Sequence, residues 1–102
     1  MTNLIGKKCI FRGTRSGVFF GELVDKNGQE VEIKNCRRIW YWEGACSISE
    51  LALHEVKKPD NCKFTVTVES VVINDCIEID VCTDEAIKNI ESVKIWKFQM
   101  KK

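Results

Sequence analysis

The pattern of apolar and polar positions along the chain predicts a protein built mainly of β-strands. The pattern is clearest in CKFTVTVE (62–69) and CIEIDVC (76–82), where every second residue is apolar. An alternation with a period of two is typical of a strand with one face in the core. The segment VKIWKF (93–98) alternates as well and is predicted to return to a sheet.

The first half of the chain is predicted to add strands at 7–12, 18–24, 30–34 and 36–42. Between the second and third of these lies DKNG (25–28), which contains an Asn-Gly pair. Asn-Gly tolerates positive φ at both central positions of a tight turn, so it is a strong hairpin signal. We therefore expect strands 18–24 and 30–34 to pair antiparallel.

Two short helices are predicted, at 48–56 and 84–91. Ser47 and Glu50 in SISE have the spacing of a capping box, in which each side chain satisfies a backbone N–H group of the first turn. Thr83 is predicted to cap the second helix, and the acidic residues that follow it suit the positive end of a helix dipole.

Together these elements predict a single domain over residues 1–102 of the α+β class, mainly β. We expect an antiparallel sheet or a small open barrel, with the two short helices beside it. The residues predicted to form the core are Phe20, Val31, Ile33, Ile39, Leu51, Phe64, Val66, Ile77, Ile79 and Ile90.

Charge, apolar runs and cysteine content predict where in the cell the protein is located. The net charge is +1, but residues 1–42 carry eight basic and four acidic side chains, whereas 43–92 carry four basic and eleven acidic ones. No apolar stretch approaches the roughly 18 residues that span a bilayer, and the N-terminus lacks a signal-like apolar run. We therefore expect a cytosolic protein with no membrane partner and six cysteines present as thiols.

The segment RRIWYWEG (37–44) concentrates the candidate chemistry, with two arginines, two of the three tryptophans and the only tyrosine. Alternate residues of a strand share a face, so Arg38, Trp40 and Trp42 are predicted on one side and Arg37 and Tyr41 on the other. Each side then carries an arginine and large apolar groups, so both are expected to be covered. One side of the strand is expected to face the core. The other side is expected to be covered by a helix of this chain, by a second subunit, or by a small anionic ligand whose phosphate and ring suit arginine and aromatic side chains.

Other chemistries fit the sequence less well. The single histidine, His54, has no local partner for acid–base work, and no closely spaced cysteine or histidine pair indicates zinc. Glu78 and Asp80 are interpreted as a solvated strand face. The near-zero net charge lacks the broad basic surface of a protein that binds extended nucleic acid. We therefore expect no enzyme, no cofactor and no metal site.

A resemblance adds to this interpretation. The ordered segments SGVFFGEL, NCRRIWYWEGACSISELA, KPDNCKF, IEIDVCTDEAIKNIESV and IWK resemble a family of small bacteriophage-encoded proteins of unknown function. The Arg-Arg-Ile-Trp-Tyr-Trp segment is its most specific part, and the similarity covers nearly the whole chain. The resemblance implies a phage origin and a location in the host bacterial cytoplasm.

In that setting we expect a homo-oligomeric phage accessory binding protein that counters host defence. It would occlude a host protein or sequester a nucleotide-type signal, with Arg37 or Arg38 on phosphate and Trp40, Tyr41 or Trp42 on a base. The alternative is a structural or assembly protein of the virion, in which the same strand is a subunit interface.

Overall fold

A computed structural model describes residues 3–98 of the chain. Five strands form one open antiparallel sheet in the order β4-β3-β2-β1-β5, which confirms a mainly β fold of the α+β class. The predicted single domain also includes residues 1, 2 and 99–102, which lie outside the described part. The elements are β1 Lys8–Gly13, β2 Val18–Asn27, β3 Glu30–Tyr41, α1 Ile48–Leu53, β4 Lys63–Ile73, β5 Cys76–Val81 and α2 Asp84–Ser92.

The predicted hairpin between β2 and β3 is confirmed, and the two strands are longer than the sequence indicated. Asn27 pairs with Glu30, so the two turn residues are Gly28, whose φ is 62°, and Gln29, one position later than the predicted Asn-Gly pair. The segments predicted as strands 30–34 and 36–42 form one continuous strand. Asn35, at their junction, has a φ of 52°, a left-handed conformation that asparagine tolerates better than most residues.

Both helices begin where the sequence predicts. Ser47 Oγ accepts from the backbone N–H of Glu50 at 3.2 Å, and the Glu50 carboxylate accepts from the N–H of Cys46, one residue before the predicted partner. Helix α1 ends at Leu53 rather than residue 56, because the chain becomes extended at His54. Helix α2 agrees with its prediction to within one residue.

The sheet buries side chains on both faces. One cluster lies between the sheet and the helices and includes Phe20, Ile39 and Phe64 of the strands with Leu51 and Ile90 of the helices. The fully buried residues of the other cluster all come from the five strands. Strands alone can enclose such a cluster only if the sheet is curved. The turn of two residues between β4 and β5 brings its edges together at one end.

The core prediction is wrong for two residues, which are exposed, and a third predicted core residue is only partly buried. Val66 on β4 and Ile77 on β5 are 46% and 48% exposed, because both strands are edges of the sheet. Ile79 is partly buried against the second cluster, and the other seven predicted core residues are buried. None of the helices between residues 3 and 98 has the length and apolar composition needed to cross a bilayer.

Candidate ligand-binding surface

Arg37, predicted to contact a ligand, lies buried under helix α2 and is 4% exposed. Its Nε donates to Thr65 O at 2.7 Å and its Nη1 to Ile90 O at 2.6 Å. Its Nη2 donates to the carbonyls of Phe64 and Val93. Burial without an ionic partner among the described residues lowers the pKa of this guanidinium. The contacts join the end of α2 to the sheet and leave little of Arg37 for a ligand.

Arg38 lies on the opposite face of β3, as predicted. Its guanidinium is 4.4 Å from the centroid of the Phe19 ring, and its Nη1 donates to Ser16 O at 2.6 Å. The cavity beside it, about 460 Å³, also contains Arg15 and Asp75. The backbone N–H groups of Arg15 and Ser16 and the Ser16 hydroxyl donate to the Asp75 carboxylate. These bonds lower the pKa of Asp75, and the Ser16 hydroxyl is the largest cause. This fixed negative charge offsets part of the positive charge of Arg15 and Arg38 in the cavity.

Trp42 does not share the face of Arg38, so the prediction of one surface formed by Arg38, Trp40 and Trp42 is wrong for Trp42. Trp42 is half-buried against the first cluster, and its indole N–H donates to Ala45 O at 3.3 Å. Trp40 is 61% exposed. The pairing of β3 with β4 is irregular on both sides of Ile39, and this irregularity shifts the alternation of side chains.

Trp40 instead stacks on Trp96, which comes from the chain after α2. Their ring centroids are 6.2 Å apart, and their planes differ by 16°. The tail, residues 93–98, reaches this position because Ile95 forms a parallel bridge with Phe64. The backbone N–H of Trp96 also donates to Phe64 O at 2.8 Å. Since Trp96 is 45% exposed, the two indoles together present an open aromatic surface.

A groove of about 510 Å³ lies beside this pair, and we call it the aromatic groove. Two loops and the tail meet there, around the start of β4. The groove carries rings, cations, carboxylates and an amide, which together offer stacking, charge and hydrogen bonding. The residues that supply these groups are Tyr41, Trp96, Lys63, Lys94, Lys97, Glu43, Asp60 and Asn61.

Lys63 places a positive charge between the two rings of the groove. Its Nζ lies 5.9 Å from the Tyr41 centroid and 5.4 Å from the Trp96 centroid. Cation–π attraction therefore holds an ammonium group where a ligand would enter. With Lys94 and Lys97, the groove has three cations against the two carboxylates of Glu43 and Asp60.

Glu43 is a carboxylate held in one orientation. Its Oε2 accepts from the Tyr41 hydroxyl at 2.7 Å, and its Oε1 accepts from the Asn61 side-chain amide at 3.3 Å. These two hydrogen bonds, with Tyr41 the larger cause, lower the pKa of Glu43, so the carboxylate stays ionised. The same bond raises the pKa of Tyr41, so the phenol keeps its proton.

The remaining candidate groups are less suited to chemistry. All six cysteines are free and only Cys46 is exposed. Burial raises the pKa of Cys9 to about 11 and that of Cys36 and Cys82 to about 12, which makes these thiols poor nucleophiles. Among residues 3–98, no three His, Cys, Asp or Glu side chains are grouped so that they could hold a metal ion.

The aromatic groove includes one of the five predicted residues, Tyr41, with Trp40 stacked at its edge. Sequence reasoning missed the contributions of Glu43, Lys63 and Trp96. A signal for Trp96 existed, because the tail was predicted to return to the sheet. No local pattern says which strand edge the tail joins, so its meeting with Trp40 could not be predicted.

Comparison with known proteins gives one match. A family model described as a domain of unknown function, DUF6948, matches residues 6–90. No curated protein and no solved structure matches the chain. The matched segment includes Trp40, Tyr41, Glu43 and Lys63, whereas Trp96 lies beyond its end.

Proposed function

This chain belongs to the DUF6948 family, whose description assigns no function, and we propose that it is a non-enzymatic protein that binds a nucleotide-type ligand in the aromatic groove. The observation that carries this proposal is the exposed, nearly parallel pair of Trp40 and Trp96 beside three lysines. A nucleotide needs both features, a flat surface for its base and cations for its phosphate.

The indole pair supplies the base-binding part of the site. Stacking of a base on an aromatic side chain contributes about 1–3 kcal/mol and needs no particular base, because every base has a π face. The indoles of Trp40 and Trp96 are held by their mutual stacking, and the Trp96 backbone is held by its hydrogen bond to β4. Little side-chain entropy is therefore lost when a base binds.

The lysines supply the phosphate-binding part. Lys94 and Lys97 come from the tail and Lys63 from the start of β4, and all three line the groove together with Trp96. Ammonium groups bind phosphate as point charges, which tolerates several phosphate positions. The three lysines lie in one groove, which suits a small ligand better than a long nucleic acid, since a phosphate backbone needs a broad basic surface.

The biological role that we propose follows the resemblance to phage proteins. The protein acts in the host bacterial cytoplasm as a phage accessory protein and counters host defence by sequestering a nucleotide-type signal. A host protein is the second partner that this surface suits, since exposed tryptophans are typical of interface hot spots. If the protein is instead part of the virion, it co-purifies with phage particles.

Assembly into a homo-oligomer is also part of the proposal. Strand β4 is an edge of the sheet, and it exposes Val66, Val68 and Val72 by 46%, 47% and 53%. Apolar edge strands pair readily with further strands, and an identical strand from a second copy is the nearest partner. Native mass spectrometry measures the number of copies directly, and a monomer at micromolar concentration would contradict this part.

The binding proposal is tested by isothermal titration calorimetry with a set of nucleoside monophosphates. We expect binding by the wild-type protein and at least about a tenfold loss in Trp40→Ala, from the stacking energy above. Phe98→Ala is the matched control, because Phe98 is an 83% exposed tail aromatic outside the groove. Equal affinity in wild type and Trp40→Ala would refute the proposed site, and mass analysis of the recovered nucleotide tests whether it is unchanged.

A further inference from the structure

We infer that the aromatic groove prefers guanine among the nucleobases, and that Glu43 is the residue that selects it. This inference rests on the proposed function, since it concerns which base the groove takes. Its basis is a fixed, ionised carboxylate in the same groove as the ring surface.

The orientation of Glu43 is set before any ligand arrives. The Tyr41 hydroxyl holds one carboxylate oxygen and the Asn61 amide holds the other. A carboxylate has about four acceptor positions, so each oxygen keeps a lone pair for a second donor. Glu43 therefore offers two parallel acceptors and no donor to a ligand in the groove.

The base edge that complements two acceptors is one with two neighbouring donors. Guanine has such an edge, formed by the N1–H and the exocyclic N2 amino group. Adenine presents an unprotonated N1 at the corresponding place, so its lone pair would face a negative oxygen. Hydrogen bonding to the Watson–Crick edge together with stacking is how proteins read an isolated base. A site that hydrogen-bonds one ligand discriminates against an analogue that leaves its polar groups without partners.

The cations of the groove argue against the other ligand class that aromatic rings and carboxylates suit. Rings with a nearby carboxylate also bind ammonium groups such as methylated lysine. In this groove Lys63 already places its own ammonium between Tyr41 and Trp96. A second cation would meet like charge there, whereas a guanine nucleotide brings donors for Glu43 and an anionic phosphate for the lysines.

The test is a calorimetric comparison of guanosine, inosine and adenosine 5′-monophosphates, which share the sugar and phosphate. Inosine keeps the N1–H and lacks the exocyclic amino group. We expect the guanine nucleotide to bind about tenfold more tightly than the adenine nucleotide, with inosine between them. Glu43→Gln should weaken guanosine monophosphate by about tenfold and should not weaken adenosine monophosphate, because it removes the negative oxygen that opposes the adenine N1. Asp60→Asn, which neutralises the other groove carboxylate, is the matched control and should keep the preference.

The outcomes separate this inference from the function on which it rests. Equal binding of all three nucleotides, with Glu43→Gln unchanged, would overturn the guanine preference and leave the nucleotide site standing. Absence of binding for every nucleotide would overturn both. A guanine preference that persists in Glu43→Gln but disappears in Asp60→Asn would reject Glu43 as the selecting residue.

Discussion

Replacing Arg37 by methionine tests whether this arginine is structural, as its contacts indicate, or part of a ligand surface. Methionine keeps most of the apolar stem and removes every donor. Four backbone carbonyls then lose a partner, two on β4 and two at or just after the end of α2. The helix end and the first residue after it would no longer be tied to the sheet.

The expected change in the free energy of unfolding of Arg37→Met is the balance of opposing contributions. A hydrogen bond from a charged donor contributes about 1.5–3 kcal/mol, but the four bonds share one group and are not additive. Removing the guanidinium also removes the cost of burying its charge. We expect a net loss of ~3 kcal/mol, a large fraction of the ~5–15 kcal/mol stability of a domain this size, and a fall in Tm of roughly 10–20 °C.

Urea unfolding followed by circular dichroism gives the free energy of unfolding, and hydrogen exchange locates the change. We expect the amides of α2 to exchange faster in Arg37→Met than in wild type. Arg38→Met is the matched control on the neighbouring residue, because Arg38 is half-buried with one hydrogen bond and should cost only ~1 kcal/mol. A loss below ~1 kcal/mol in Arg37→Met, or a larger loss in Arg38→Met, would refute the reasoning.

Two further predictions concern stability. Burial, with its neighbour Glu78, raises the pKa of Asp80 to about 6, so the folded state favours the protonated acid and the contribution of Asp80 to stability falls as pH rises from about 4 to about 6. Asp80→Asn should remove this fall and be ~1–2 kcal/mol more stable than wild type at pH 7, measured by thermal unfolding. A pH profile of stability that is the same in both proteins would contradict this prediction. Trp42→Ala should cost ~2–3 kcal/mol in thermal unfolding because Trp42 packs against the core, whereas Trp40→Ala should stay within ~1 kcal/mol, and equal losses would reject this division.

The sequence predicted those parts of the fold whose signals are local. Period-two alternation located β4 and β5, Asn-Gly located the β2–β3 hairpin, and Ser47 and Thr83 located the helix starts. Alternation also placed Arg37 and Arg38 on opposite faces of one strand. These signals work because each depends on residues that are neighbours in the chain.

Features that depend on the arrangement of distant segments were not predictable. Alternation failed after Ile39, where the pairing of β3 with β4 becomes irregular and Trp40 and Trp42 separate. It also placed Val66 and Ile77 inside, because the sequence does not say which strands are edges. The groove forms where three segments of the chain meet. The sequence therefore predicted only Tyr41 in the groove and Trp40 at its edge.

Trp96 places part of the aromatic groove outside the segment that the family model matches. The segment matched by the family ends at residue 90, before the tail that supplies one indole and two lysines of the groove. Beyond the buried Val93, the tail is held by the bridge of Ile95 to Phe64, the Trp96 backbone hydrogen bond and the Trp40 stack, and Lys94, Trp96 and Lys97 are exposed. Substitutions at Lys94, Trp96 or Lys97 therefore alter the groove while the two buried clusters of the sheet keep their packing.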